Sequence, residues 1–290
     1  MKTMGMLWKL SIILLAVFVF LFFFLYLNER RLIYTVTSHY IPQTSNKEET
    51  ILKTMEWVTM NTHKVDFQGY SEPLQSFLRI YYHLTPVSPS ALENYVFGYY
   101  GGPCGGRSRL MLLLLQEQGI SSNRFLVWNN EDYYGPNMHS VIEAKQSDGF
   151  WAVYDPTYNL AFRRLDGHPA SKKDLQDRSL VRYNLLLNGI DPSFYNKISF
   201  ENTYYLNFAR MPSGLMLRDV LRRAGVNVNE LPGIPFYDNA YLLLVFIFLF
   251  GVFLLFLFRY LALRVRSRAG SWVKIPGDLE VASSKFRDGT

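Results

Sequence analysis

The sequence predicts an α+β domain, with N-terminal helices packed on an antiparallel sheet, flanked by two transmembrane helices. Three observations carry this. Apolar residues follow a helical period through the first part of the central region, β-forming stretches broken by a hairpin turn follow Gly119, and two stretches free of charge, Leu10–Asn28 and Asn239–Phe258, stand near the ends. At about 1.5 Å of rise per residue, each charge-free stretch can cross a hydrocarbon layer roughly 30 Å thick. The first is read as an anchor rather than a cleaved signal peptide. Its apolar core is too long, and Phe22 to Leu27 offers no small-residue cleavage site.

The elements follow in order. Ser45 with Glu48 forms a capping box before a helix whose apolar positions are Ile51, Leu52, Met55 and Val58. Pro73 to Leu84 reads as a second helix, and Ser90 with Glu93 starts a short third one through Val96 and Phe97. Gly101-Gly102-Pro103 forces a turn, and Arg107–Gln118 is a helix capped by Gly119. Cys104 therefore sits at or just before a helix N-terminus. Arg124–Trp128 is a strand, Asn129–Met138 a loop, and His139 opens a strand through Val141 and Ile142. Ser147-Asp148-Gly149 turns the chain back into Phe150–Tyr154, closed by Asp155. Farther on, Leu215, Leu217, Val220 and Leu221 mark a helix whose polar face carries Arg218, Arg222 and Arg223, read as a solvated face rather than a membrane-surface one.

Charge sorts the partners. The formal net charge is +6, yet Glu29 to Asp238 carries as many basic as acidic residues, 21 of each. The excess lies at the ends, on Lys2 and Lys9 and on the cluster Arg259, Arg264, Arg266, Arg268 and Lys274. A nucleic-acid-binding face is not expected, because that needs the excess on the folded domain. The positive-inside rule puts both termini in the cytoplasm and the central domain outside, although Arg30 and Arg31 oppose it locally. The expected division is a cytoplasmic N-terminus (1–9), a span (10–28), a core domain (29–160), a helical C-terminal extension (161–238), a second span (239–258) and a basic cytoplasmic tail (259–290).

Cys104 is the only cysteine, so no disulfide forms within the chain. Followed in order by His139 and Asp155, it supplies the parts of a cysteine-nucleophile site. A thiol attacks as thiolate, and a helix N-terminus and an imidazolium both lower its pKa from about 8.5. Glycines 101, 102, 105 and 106 let a carbonyl approach the backbone, whose unpaired N–H groups can hold an oxyanion. His139 would carry the proton, and Asp155 would fix its tautomer. In the hairpin, the first residue of one strand is expected opposite the last of the next, so that His139 and Asp155 face each other. Taken singly, each residue has an ordinary alternative: Cys104 as a small buried hydrophobe, His139 as a satisfied strand histidine, Asp155 as a turn-former before Pro156. A zinc site completed by His63, His83 or His168 lacks any zinc-ligand spacing, and the glycine loop lacks the Gly-Lys-Ser/Thr of a phosphate cradle.

Gly102-Pro103-Cys104, the leucine-rich helix, Gly119-Ile120, Arg124, His139 and the run Gly149 to Thr157 together resemble the core of the transglutaminase-like superfamily, and the Ile51 to Asn61 helix resembles its lead-in. The resemblance implies a papain-like α+β core with a Cys104, His139 and Asp155 triad, acting by acyl transfer on an amide of a protein or peptide. No cofactor or metal is implied, and water or an amine could resolve the acyl-enzyme. Family members often carry an aromatic shortly after the histidine, whereas Ser140, Val141 and Ile142 follow here. The second oxyanion donor stays unassigned, with Tyr99 and Tyr100 upstream of the cysteine. The rival expectation is a non-catalytic binding module at the membrane. No Asn-x-Ser/Thr site is present, and with the simple anchor this fits a bacterial inner-membrane protein with a periplasmic domain.

Overall fold

The computed structural model describes residues 2–64, 71–73, 97–99, 103–128, 138–193, 195–205, 214–228, 231, 248–261 and 264–265. The chain divides into two compact units, Met1–Phe20 with Leu244–Thr290, and Leu21–Leu243.

Helix α1 runs unbroken over Lys2–His39, and its Ile12–His39 portion is long and apolar enough to cross a membrane. The expected span stopped at Asn28, with Glu29, Arg30 and Arg31 as its polar flank. The helix instead continues, because its next apolar residues have somewhere to pack. Leu32, Ile33 and Val36 are buried against α2 (Lys47–Asn61) and the helix that carries Cys104. Glu29, only 1% exposed, meets Arg109 at 3.4 Å, and Arg30 pairs with Glu117 at 2.7 Å.

The N-cap of α2 is Asn46, whose side chain accepts from the Glu48 N–H at 2.9 Å, so the cap lies one residue beyond the expected Ser45. Its buried face is Ile51, Met55 and Val58 with Thr50 and Thr54. The strands β1 (Thr62–Lys64) and β2 (Phe97–Tyr99) pair in parallel. Phe97, expected at a helix end, therefore belongs to a strand, where it contributes to a ladder instead. The expected helices over 74–84 and 90–96, and Tyr100, lie outside the described residues.

Helix α3 spans Pro103–Glu117. Proline at its first turn has no N–H to lose there. At the other end Gly119 adopts φ +71, and the Ile120 N–H donates to Leu115 O at 2.9 Å, the double-backed closure that a glycine permits. Leu110 to Leu115 are all buried, so α3 is the central helix, covered on every side in its middle.

A five-stranded antiparallel sheet follows, in the order β6-β5-β4-β3-β7, built from β3 (Ser122–Trp128), β4 (Met138–Lys145), β5 (Trp151–Asp155), β6 (Leu160–Ala161) and β7 (Ser199–Tyr204). Alternation along the strands separates two cores. Ile142, Ala144, Ala152 and Tyr154 face α1, α2 and α3. Phe125, Val127, Val141 and Val153 face the other way, toward Leu180, Val181 and Leu185 of α4 (Arg178–Leu187). The segment expected as a helical extension thus contributes α4 and also the edge strand β7. Helix α5 (Gly214–Arg223) packs Leu221 beside Trp128 and Tyr204.

In the first unit, α6 runs over Phe248–Leu261, and Phe18 lies 5.8 Å from Phe248 between ring centroids. The described part of α6 reaches roughly 20 Å, short of the ~30 Å a crossing needs, so it does not by itself support the expected second span. Residues 239–247 of that span lie outside the described ones.

Candidate active site

Three elements converge where α3 begins. Cys104 is the second residue of α3, partly exposed and unpaired with any other cysteine. Arg107 clamps that first turn: its Nε donates to Thr62 Oγ1 at 2.7 Å, its Nη1 to Thr157 O at 2.8 Å and its Nη2 to Thr59 O at 3.2 Å. The end of α2 and the chain after β5 are so drawn to the same place, and Thr59 Oγ1 adds a bond to Pro156 O at 2.9 Å. A Cβ placed on Gly105 would meet nothing within 4 Å among the described residues.

Neighbouring strand residues point to opposite faces, and β4 uses both near its start. Ser140 turns toward α3, where its Oγ lies 2.7 Å from Ser108 Oγ, and Ser108 in turn donates to Cys104 O at 2.6 Å. His139 turns to the other face, is 1% exposed, and places Nε2 2.7 Å from Asp155 Oδ2. The thiol is close enough to His139 for each to shift the other's charge. The structure therefore brings together the three residues singled out in the sequence.

Their register differs from the expected one. Ile142 stands opposite Tyr154 and Glu143 opposite Val153, a pairing that sets Val141, not His139, across from Asp155. His139 and Asp155 share a face and meet diagonally. The cause is the hairpin: Gly149 sits at φ +88 and the Gln146 N–H donates to Phe150 O at 2.8 Å, so the turn closes on Gln146 and Phe150 and shifts every later pair.

Asp155 is fully buried and fully partnered. Its Oδ1 accepts the Thr157 N–H at 2.8 Å, and its Oδ2 accepts the Tyr195 hydroxyl as well as His139. Tyr195 was not singled out in the sequence. It lies in the 3₁₀ turn Tyr195–Lys197, 40 residues beyond Asp155, and no motif marks it. Tyr158 adds a second aromatic neighbour, its ring 5.9 Å from that of His139. It is presented by a turn whose last residue, Asn159, takes φ 53, a left-handed conformation that asparagine tolerates well. Tyr158, three residues after Asp155, thus stands against the ring from another strand's end.

The charges follow from this packing. Burial alone would raise the Cys104 pKa, but hydrogen bonding and charge from His139, with a backbone bond from Ser140, bring it below the ordinary thiol value. Burial alone would lower the His139 pKa, but the Asp155 charge and hydrogen bond, and then Cys104, raise it to about 10. Asp155, which burial would push up, is held below the usual carboxylate range by His139, Tyr195 and Thr157. Each shift favours the charged form: thiolate, imidazolium and carboxylate. Burial and the nearby Asp155 charge keep the hydroxyls of Tyr195 and Tyr158 protonated, so both can donate.

Among the described residues no group of three His, Cys, Asp or Glu side chains could hold a metal ion. His83 lies outside the described residues, and His168 sits in the turn where its carbonyl accepts from the Arg164 N–H at 2.8 Å. Of the oxyanion candidates, Tyr99 ends β2.

No protein-family model and no curated protein matches the sequence. Among solved structures, the chain is similar to a crystal structure of a Cytophaga hutchinsonii protein provisionally named a cysteine protease, at 16% identity and a TM-score of 0.29. That similarity covers 48% of this chain and 40% of the other.

Proposed function

We propose that the protein is a cysteine enzyme of the transglutaminase-like kind, which transfers acyl groups from amides of a protein or peptide. The observation that supports it is the linked set Cys104, His139 and Asp155, with the thiol at the start of α3. Cys104 as thiolate attacks the amide carbonyl carbon and forms the C–S bond. Backbone N–H groups at the start of α3, that of Cys104 included, stabilise the oxyanion, because the first turn of a helix leaves its N–H groups unpaired. As the C–N bond breaks, His139 gives its proton to the departing nitrogen. Water or an amine then attacks the thioester, His139 takes the incoming proton, and the thiolate leaves. Water yields a peptidase or amidase; an amine yields a crosslinked product.

On the same reading α1 anchors the domain in a membrane. Lys2 and Lys9 keep the amino terminus cytoplasmic, and the domain lies on the far side. The basic cluster after Phe258 argues for a return to the cytoplasmic side across 239–258. Reporter fusions after Asp238 and after Thr290 test this: activity on opposite sides supports two crossings, and activity on the same side supports one.

The catalytic reading is tested by alkylating Cys104 across pH. A nucleophile of this kind labels with an apparent pKa well below about 8.5, and His139→Ala abolishes that advantage. Labelling only near 8.5, indifferent to His139→Ala, would favour a non-catalytic binding module.

A further inference from the structure

A buried carboxylate has a soft terminal torsion, so its orientation is set by its hydrogen bonds. At Asp155 the Thr157 N–H takes Oδ1 at 2.8 Å, and His139 Nε2 and the Tyr195 hydroxyl share Oδ2. Tyr195 is itself immobilised. It is 4% exposed, its ring packs T-shaped on Phe162 with centroids 6.0 Å apart, and it stacks on Phe200 at an interplanar angle of 9°. The same ring meets the His139 imidazole edge-on at 5.4 Å. One side chain thus touches both the carboxylate and the imidazole, from a segment that lies beyond Thr157, where the stretch resembling the family ends.

We infer that Tyr195 is a positioning residue of the site, its hydroxyl fixing the Asp155 carboxylate and its ring closing the inner side of His139. The inference rests on the reading of Cys104 as nucleophile. Without the hydroxyl, Oδ2 keeps only His139, and the pair can turn together away from the thiol. Without the ring, the imidazole loses one of two adjoining aromatic neighbours, since the Tyr195 and Tyr158 rings lie 6.0 Å apart on the same flank of His139. The segment around 195–204 is then part of the working site, because the 3₁₀ turn that carries Tyr195 leads directly into β7.

The test is Tyr195→Phe, which keeps the ring and its contacts with Phe162, Phe200 and His139. The groups facing Asp155 are His139 from β4, Cys104 from α3, Tyr158 from the turn after β5, and Tyr195. A donor to the charged form lowers a carboxylate pKa, so removing it raises that pKa. The acid limb of the Cys104 alkylation profile is expected to move up by about half to one pH unit, with kcat down roughly tenfold and KM unchanged. A merely structural tyrosine would lower the melting temperature and leave the profile in place. Incorporating 3-fluorotyrosine at 195, a stronger donor of nearly the same shape, is expected to move the limb down, and it serves if Tyr195→Phe does not fold. An acid limb unmoved by both changes overturns the assignment while leaving Cys104 a nucleophile. Wild-type labelling that lacks a depressed pKa overturns both readings together.

Discussion

Asp155→Asn keeps the side-chain volume and an acceptor for Tyr195, but removes the charge that His139 faces. His139 is raised from 6.5 to about 10 although burial opposes it, a difference of about 5 kcal/mol at roughly 1.36 kcal/mol per pKa unit. Asp155 is the foremost contributor to the rise, through its charge first and its hydrogen bond second, ahead of Cys104. Neutralising it is expected to bring the imidazolium pKa down from about 10, so the alkaline edge of the thiolate–imidazolium pair moves to lower pH. The assay is the rate of iodoacetamide reaction with Cys104 across pH, read beside the ultraviolet absorbance of the thiolate. Turnover should fall by about 10²–10⁴-fold. The protonated imidazole favours the fold, because its pKa is raised there. That contribution is full below about 6.5 and lost as pH rises through about 10, so the stability gap between wild type and variant should close over that interval. An alkaline edge that stays in place in Asp155→Asn would refute the reasoning.

Two further outcomes are expected. Arg109→Met takes an ion partner at 3.4 Å from a Glu29 that is 1% exposed, and urea unfolding should register a loss of about 3–5 kcal/mol, much of it recovered in the double variant Glu29→Leu with Arg109→Met. Full additivity of the two changes would show that the pair is not coupled. Ser108→Ala and Ser140→Ala each leave a buried hydroxyl short of a partner and should cost about 1–3 kcal/mol singly, while the double variant costs less than their sum; alkylation of Cys104 should slow in all three, and unchanged alkylation would mean that this link does not place the thiol.

Local punctuation made part of the molecule legible. Gly119 marked the end of α3 and the expected turn at Gly101-Gly102-Pro103 put Cys104 at or just before a helix start, although α3 begins at Pro103 rather than at the expected Arg107, and Ser147-Asp148-Gly149 marked the hairpin that brings His139 and Asp155 onto neighbouring strands. Alternation fixes which face a strand residue occupies, but not its partner across the hairpin, which is why the diagonal meeting of His139 and Asp155 was missed. The cap at Asn46 lay one residue from the expected Ser45 because both residue types cap well and the apolar period does not choose between them. The continuation of α1 was hidden for a different reason: Glu29 reads as a flank until Arg109, 80 residues later in the chain, is seen to meet it. Tyr195 and the Ser108–Ser140 link carry no local pattern at all, since each exists only as a contact between distant segments.

Leu27, nearly half exposed, and Leu32, buried, sit little more than one turn apart on the same unbroken helix, and no glycine or proline lies between Leu10 and Ile41. A domain hung on a flexible leash sweeps a broad volume and can search for its target. Here the exposed turn at Leu27 and the buried turns at Leu32 and Val36 belong to one unbroken helix, so if α1 is the proposed anchor, no leash separates its apolar face from the domain core.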